Sequence, residues 1–204
     1  MRLSRLALPL LLAVAAPALA DDTADFLKPD NWEGLKDIWT VKDGTVVGTT
    51  GKDGIKFNTF LCSKEKYADF DLSFQVQLKN GVGNSGVQIR SKIEEKEKDK
   101  FVVGGPQCDV GQQYWGSLYG ERFGGMMKAA DAATVKKVLK EKEFNDYSIR
   151  SVGKKVTIKL NGETMVDGDF EKMPADGIIA FQAHAGPGME VTFKSIKFAK
   201  IAAK

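Results

Sequence analysis

Three short stretches of the chain alternate polar with apolar side chains: Val87-Gln88-Ile89-Arg90, Gln107-Cys108-Asp109-Val110 and Phe181-Gln182-Ala183-His184. On β-strands that spacing sends the two sets to opposite faces of a sheet. One face then collects Gln88, Arg90, Gln107, Asp109, Gln182 and His184, the single histidine of the protein. A face that merely meets water is usually dressed in Lys, Glu, Thr and Ser. Three amides, an acid, a base and a guanidinium suit a polar ligand instead. The alternative is an ordinary solvated face of an antiparallel sheet.

The same residue types suit proton transfer. His184 is the candidate base, because an unperturbed imidazole titrates nearest neutrality; its alternative role is a plain hydrogen bond near a turn. Asp109 either orients that histidine or serves as the base itself. Arg90 offers a fork of donors to ligand oxygens, or else forms a structural salt bridge with Asp109. Gln88, Gln107 and Gln182 both donate and accept, which suits a polar ligand. Asn84-Ser85-Gly86 makes a tight turn or lines a cleft rim. Tyr114, Trp115 and Tyr119 could stack on a ligand's apolar faces, with Tyr119 the preferred contact, although sandwich rims also bury such residues.

Converging Gln107, Asp109 and His184 could instead hold a divalent cation acting as a Lewis acid. No metal-spacing motif stands in the sequence, so no cofactor is expected. There is no Gly-x-Ser-x-Gly elbow and no phosphate-binding loop.

The elements that must position these residues are mostly strands. Phe70, Leu72, Phe74, Val76 and Leu78 alternate with Asp71, Ser73, Gln75 and Gln77, a strand with one buried face. Trp39–Val41 and Thr45–Val47 flank Asp43-Gly44, and Lys155–Leu160 and Glu163–Val166 flank Asn161-Gly162; both dipeptides signal hairpins. Further strands are expected at 60–63, 101–103, 107–110, 147–152, 178–184 and 191–198. The charge run Lys92–Lys100 reads as a solvated hairpin tip, and Gln112–Met127 as a long irregular binding loop. Asp131 is the expected N-cap of one short helix reaching Leu139. About a dozen short strands with tight turns predict an all-β, two-sheet antiparallel jelly-roll sandwich.

Composition bounds the partners. Arg2 and Arg5 precede an apolar run from Leu6 to Ala16 and the small-x-small Ala18-Leu19-Ala20, the pattern of a signal peptide over residues 1–20. Residues 21–204 are then one exported domain, periplasmic or secreted, with no membrane span. The 30 basic residues face 27 acidic ones, and two arginines fall in the leader. Such balance gives no case for nucleic acid, and the oligomeric state is left open. Cys62 and Cys108 either bridge, as an oxidising compartment permits, or are two small buried hydrophobes.

An ordered set of motifs adds a resemblance. Asp69-Phe70-Asp71-Leu72, Asn84-Ser85-Gly86-Val87-Gln88-Ile89-Arg90, Gln107-Cys108-Asp109, Leu118-Tyr119-Gly120, Phe144-Asn145-Asp146-Tyr147, Asn161-Gly162, Gln182-Ala183-His184 and Val191-Thr192-Phe193-Lys194-Ser195-Ile196 follow one another. Together they resemble the 3-keto-disaccharide hydrolase domain family over nearly all of residues 21–204. The chain departs from it at Phe144, where the family tends to have Trp, and at Cys108, where it has an aliphatic residue. Both departures read as packing substitutions away from the polar face.

The resemblance implies a concanavalin A-like jelly roll that handles 3-keto-glycosides, so a small-molecule or oligosaccharide substrate is expected. Arg90 would then meet its keto oxygen or ring hydroxyls, Gln88, Gln107 and Gln182 its other hydroxyls, and Tyr119 and Trp115 the apolar faces of its rings. A ketone at carbon 3 acidifies the hydrogen on carbon 2, so a base can remove it and the aglycone can leave carbon 1. Water then adds back, without the two carboxylates of a conventional glycosidase. The expected function is hydrolysis of 3-keto-glycosides or 3-keto-disaccharides by such elimination and hydration. A non-catalytic carbohydrate-binding module, or an envelope domain with a structural role, is the alternative on the same fold.

Overall fold

A computed structural model describes residues 21–97 and 100–202, so the leader expected over residues 1–20 lies outside the described residues. Strand β5 (Phe70–Leu78) realises the alternation fully, with every odd-placed apolar side chain buried and every polar one half-exposed. It is central in a sheet that runs β12 (Glu163–Asp169), β11 (Lys155–Leu160), β10 (Asn145–Val152), β5, β14 (Glu190–Lys200), β3 (Thr45–Thr49) and β2 (Trp39–Lys42). A second sheet runs β1 (Trp32–Glu33), β4 (Thr59–Ser63), β13 (Ile178–Ala183), β6 (Asn84–Glu97), β7 (Lys100–Gly111), β8 (Leu118–Glu121) and β9 (Gly125–Lys128). The pairings within both sheets are antiparallel. The architecture is the expected two-sheet sandwich.

The inner faces meet in an aromatic-rich core. Phe181 of β13 lies 4.7 Å from Phe193 of β14, joining the two sheets. Phe74 stacks on Tyr147 at 5.3 Å within one of them. A single turn of helix, α1 (Thr23–Phe26), lays Phe26 on Phe198 at 4.2 Å and closes one end. Each such ring contributes roughly 1.5–3 kcal/mol by leaving water. The Asp43-Gly44 and Asn161-Gly162 turns form as expected, all four residues having φ between 49° and 87°. Helix α2 (Ala132–Val138) starts where Asp131 accepts a hydrogen bond from Thr134 N at 2.8 Å.

The charge run forms the far end of the β6–β7 hairpin, as expected, with β6 reaching Glu97 and β7 pairing with it from Lys100 onward. Neighbours neutralise its charges: Arg122 donates to Glu94 at 2.7 Å, and Lys96 pairs with Glu33. The stretch 112–127 differs from expectation, being no open loop. After one 3-10 turn it folds into the β8–β9 hairpin, with Arg122, Gly124 and Gly125 at positive φ around the reversal. Its glycines mask a short strand alternation in the sequence.

Cys62 and Cys108 are free and buried on opposite faces of one sheet, Cys62 among Phe60 and Val103, Cys108 in the inter-sheet core. That geometry rules out a bridge between them, and burial raises the pKa of both thiols. Native protein is expected to resist thiol labelling at both positions until denaturant is added. Reducing agent should leave its melting temperature unchanged, whereas a drop on reduction would reveal a bridge. No helix among the described residues is long and apolar enough to cross a membrane.

Candidate functional site

The outer face of the sheet that holds β6 and β7 is divided. At one end Phe60, Cys62, Phe101, Val103, Ile178 and Ala180 make a small apolar cluster. At the other, register assembles the polar set. Gln182 stands opposite Gly86, and Gly86 opposite Asp109. In the next row Ala180, Gln88, Gln107 and Tyr119 face one another across four strands. Glycine at 86 is required here, because a Cβ would lie 2.7 Å from the Gln107 side chain. Its absence lets Gln107 reach both Asp109, at 2.7 Å, and Gln182, at 3.3 Å.

Above this floor opens a hollow of about 200 Å³, lined by Asn84, Gln107, Asp109, Tyr114, Tyr119, Glu121 and His184. Strand β7 supplies Asp109 and pins its backbone: Asp109 N donates to Ser117 O, and Tyr147 Oη donates to Asp109 O. The side chain is 4% exposed. Burial raises its pKa to about 7; a Gln107 amide donated to the ionised carboxylate opposes that shift and the Glu121 charge adds to it. His184 follows the end of β13, half-buried, with Nδ1 2.6 Å from Ala185 O. A carbonyl can only accept, so Nδ1 carries the proton and the neutral ring keeps its basic lone pair on Nε2. Asn58 secures this corner by accepting from Ala185 N at 2.8 Å and donating to Glu121 at 3.4 Å.

Two of the sequence-predicted residues lie elsewhere. Arg90 is displaced by a β-bulge: the register with both neighbours shifts after Gln88, and Arg90 itself has φ 46°. The extra residue reverses the alternation beyond Ile89. Arg90 is therefore buried away from the hollow, donating to Ala68 O, Gly153 O and Pro174 O and pairing with Asp69 at 2.7 Å. Trp115 is also withdrawn, being 4% exposed in the inter-sheet core. Gln88 and Gln182 are on the correct face but fully buried beside Gln107, as part of the floor's support.

Asn84, Gln107, Asp109, Tyr119 and His184 do converge on one hollow. Glu121 and Asn58 were not legible as site residues. Glu121 lies two residues beyond Tyr119 on the same face of β8, so a strand reading of that stretch finds it. Asn84 Oδ1 and Gln182 Nε2 are buried without a hydrogen-bond partner among the described residues, the state of groups awaiting a ligand or a different amide orientation. A wider groove of about 500 Å³ crosses the other sheet's outer face. Its ionic side chains, such as Arg150 paired with Asp71, are exposed or half-exposed, so it offers no desolvated acid or base.

Residues 20–199 match the 3-keto-alpha-glucoside-1,2-lyase-like domain. Among curated proteins none matches the sequence. Solved structures share the fold at low identity. A protein described as a glycosyl hydrolase from Parabacteroides distasonis is 19% identical, with a TM-score of 0.58 over 84% of this chain and 94% of that one. Carbohydrate binding module CBM66 from Bacillus subtilis is 13% identical, with a TM-score of 0.56 over 83% of this chain and 96% of that one. The kappa-carrageenase from Pseudoalteromonas carrageenovora is 10% identical, with a TM-score of 0.58 over 92% of this chain and 98% of that one.

Proposed function

The chain belongs to the 3-keto-alpha-glucoside-1,2-lyase-like family, and from that premise we propose that it cleaves 3-keto-glycosides outside the cytoplasm by eliminating the aglycone across carbons 1 and 2. The observation that carries this reading is a buried carboxyl poised near neutrality, Asp109, in the same hollow as a histidine whose Nε2 is basic. His184 Nε2 takes the proton from carbon 2, which the carbon-3 ketone has acidified. That electron pair becomes the carbon 1–carbon 2 double bond. The bond from carbon 1 to the aglycone oxygen breaks, and the oxygen takes a proton from Asp109. A proton donor works best when its pKa lies near the working pH, which burial arranges for Asp109. Water can then add to carbon 1, returning a 3-keto sugar and completing a net hydrolysis.

Tyr119, Tyr114 and Asn84 line the same hollow and present hydroxyl and amide donors to ring oxygens. Arg90 and Trp115 have no part in substrate contact, for the geometric reasons given above. The experiment is to incubate the protein with a 3-keto-glucoside and follow both the free aglycone and the unsaturated keto-sugar. Release of aglycone is expected. Saturable binding of the sugar with no release would overturn the enzymatic reading in favour of a carbohydrate-binding module, the reading to which the likeness to CBM66 lends its support.

A further inference from the structure

We infer that Gln88, Gln107 and Gln182 form a positioning relay that holds a proton on Asp109, so that Asp109 enters the reaction as an acid and not as a base. The inference deepens the acid–base reading of the hollow and rests on it for its catalytic consequence. Its physical content is the direction of four hydrogen bonds.

The direction is set at the inner end of the relay. One terminal atom of the Gln88 amide lies 2.7 Å from Ser91 Oγ, 3.2 Å from Gly105 O and 3.1 Å from Pro106 O. Two backbone carbonyls can only accept, so the NH2 group belongs there. The Gln88 carbonyl then faces Gln107, 3.0 Å away, and Gln107 must present its own NH2 to it. Gln107 thereby turns its carbonyl oxygen toward Asp109 Oδ1, at 2.7 Å, and toward Gln182, at 3.3 Å.

Two oxygens 2.7 Å apart need a proton between them, and only the carboxyl can supply it. The separation is also the usual one for O–H···O and shorter than the norm for an amide donor. The same orientation lets Gln182 donate its NH2 to Gln107 and places its oxygen, in the nitrogen's stead, where no partner stands among the described residues.

The opposite orientation belongs to ionised Asp109. Gln107 then donates to the carboxylate and accepts from Gln88 Nε2, which presses the Gln88 oxygen against two carbonyls. Losing the proton therefore obliges the three amides to reverse together. All four side chains are at most 4% exposed, so no solvent softens the choice.

The groups facing Asp109 agree with this. Glu121 on β8 adds a like charge, and burial acts the same way. Tyr114, Tyr119 and His184 line the hollow with it, while Tyr147 donates to its backbone carbonyl and leaves the carboxyl alone. Cys108 lies on the other face of the strand. Once Asp109 has given its proton to the departing aglycone oxygen, the reversed relay stabilises the carboxylate by a donor from Gln107.

Carboxyl carbon NMR of protein labelled with 13C at aspartate Cγ tests the relay directly. The Asp109 signal is expected to stay in its protonated position at pH 6. It should titrate at or above neutrality, with the Gln88 and Gln107 side-chain amide signals moving in the same step. In Gln88→Met the donor to the two carbonyls is gone and Gln107 is released to face a carboxylate. The Asp109 midpoint should then fall by at least about one pH unit, a tenfold change in its ionisation constant. The alkaline limb of the pH–rate profile on a 3-keto-glucoside should fall with it.

A purely structural role for Gln88 would lower the melting temperature and leave both midpoints in place, which overturns the relay. Should Gln88→Met fail to fold, the unsubstituted protein decides: an Asp109 carboxyl already ionised at pH 5 overturns the inference. If Asp109 titrates as expected but no substrate turns over, the relay stands and the enzymatic reading is what has failed.

Discussion

Asp109→Asn is expected to abolish most turnover of a 3-keto-glucoside, by about 10²–10⁴-fold, while making the protein more stable above pH 7. The two effects share one cause. In the unfolded chain Asp109 loses its proton near the ordinary value of 3.8, whereas burial holds it to about 7 in the fold. Between those values the folded state binds a proton that the unfolded state has released, so this group's contribution to stability falls as pH rises.

Above pH 7 the buried carboxylate is ionised and the full penalty applies, on the order of 3–4 kcal/mol from about three units of displacement. Asparagine cannot ionise, and its amide can donate to the Gln107 oxygen that the carboxyl served. Relative to the parent, Asp109→Asn should melt about 6–12 °C higher at pH 8 and show no gain at pH 3.5, where both states of the parent are protonated. Thermal melts across that range check the sign.

His184→Ala should lose turnover comparably, since it removes the proposed base. In the parent, turnover should decline as pH rises above about 7 and Asp109 gives up its proton. Turnover that persists undiminished in Asp109→Asn would remove the carboxyl from the chemistry.

The parts of this site that were legible in the sequence are those governed by period-two spacing in unbroken strands. Gln107 and Asp109 share a face of β7, and Gln182 shares that face from β13, because nothing interrupts the alternation there. The sandwich was legible for the same reason, with β5 and the Asn161-Gly162 hairpin as its clearest elements. What escaped depends on contacts that spacing does not encode. The bulge after Gln88 carries no Gly or Asn to announce it: Arg90 takes φ 46° because four oxygens at one end of the sandwich hold its guanidinium. Glu121 was hidden by the glycines around β8. The burial of Gln88 and Gln182, and with it the direction of the amide relay, follows from the missing Cβ at Gly86 and from the carbonyls of Gly105 and Pro106. A single chain's pattern of polar and apolar residues does not report such packing.

Arg90→Met is expected to destabilise the fold by about 3–5 kcal/mol, lowering the melting temperature by roughly 10 °C or more, with turnover per folded molecule unchanged. The guanidinium is 2% exposed and gathers three backbone carbonyls, from Ala68, Gly153 and Pro174, around a charge balanced by Asp69. Methionine fills similar volume yet donates nothing, so those carbonyls and the carboxylate lose their partner in a desolvated corner. Asp69 suffers less because it is more exposed and also accepts from Gly153 N at 2.9 Å. Lysine restores the charge but not the planar fork, and one ammonium cannot reach the same set of acceptors; Arg90→Lys should recover only part of the loss. Denaturant melts of the three proteins, paired with kcat and KM on a 3-keto-glucoside for the folded fraction, separate the two roles. A folded Arg90→Met whose KM rises tenfold while its stability holds would return this side chain to the substrate and deny the bulge its structural meaning.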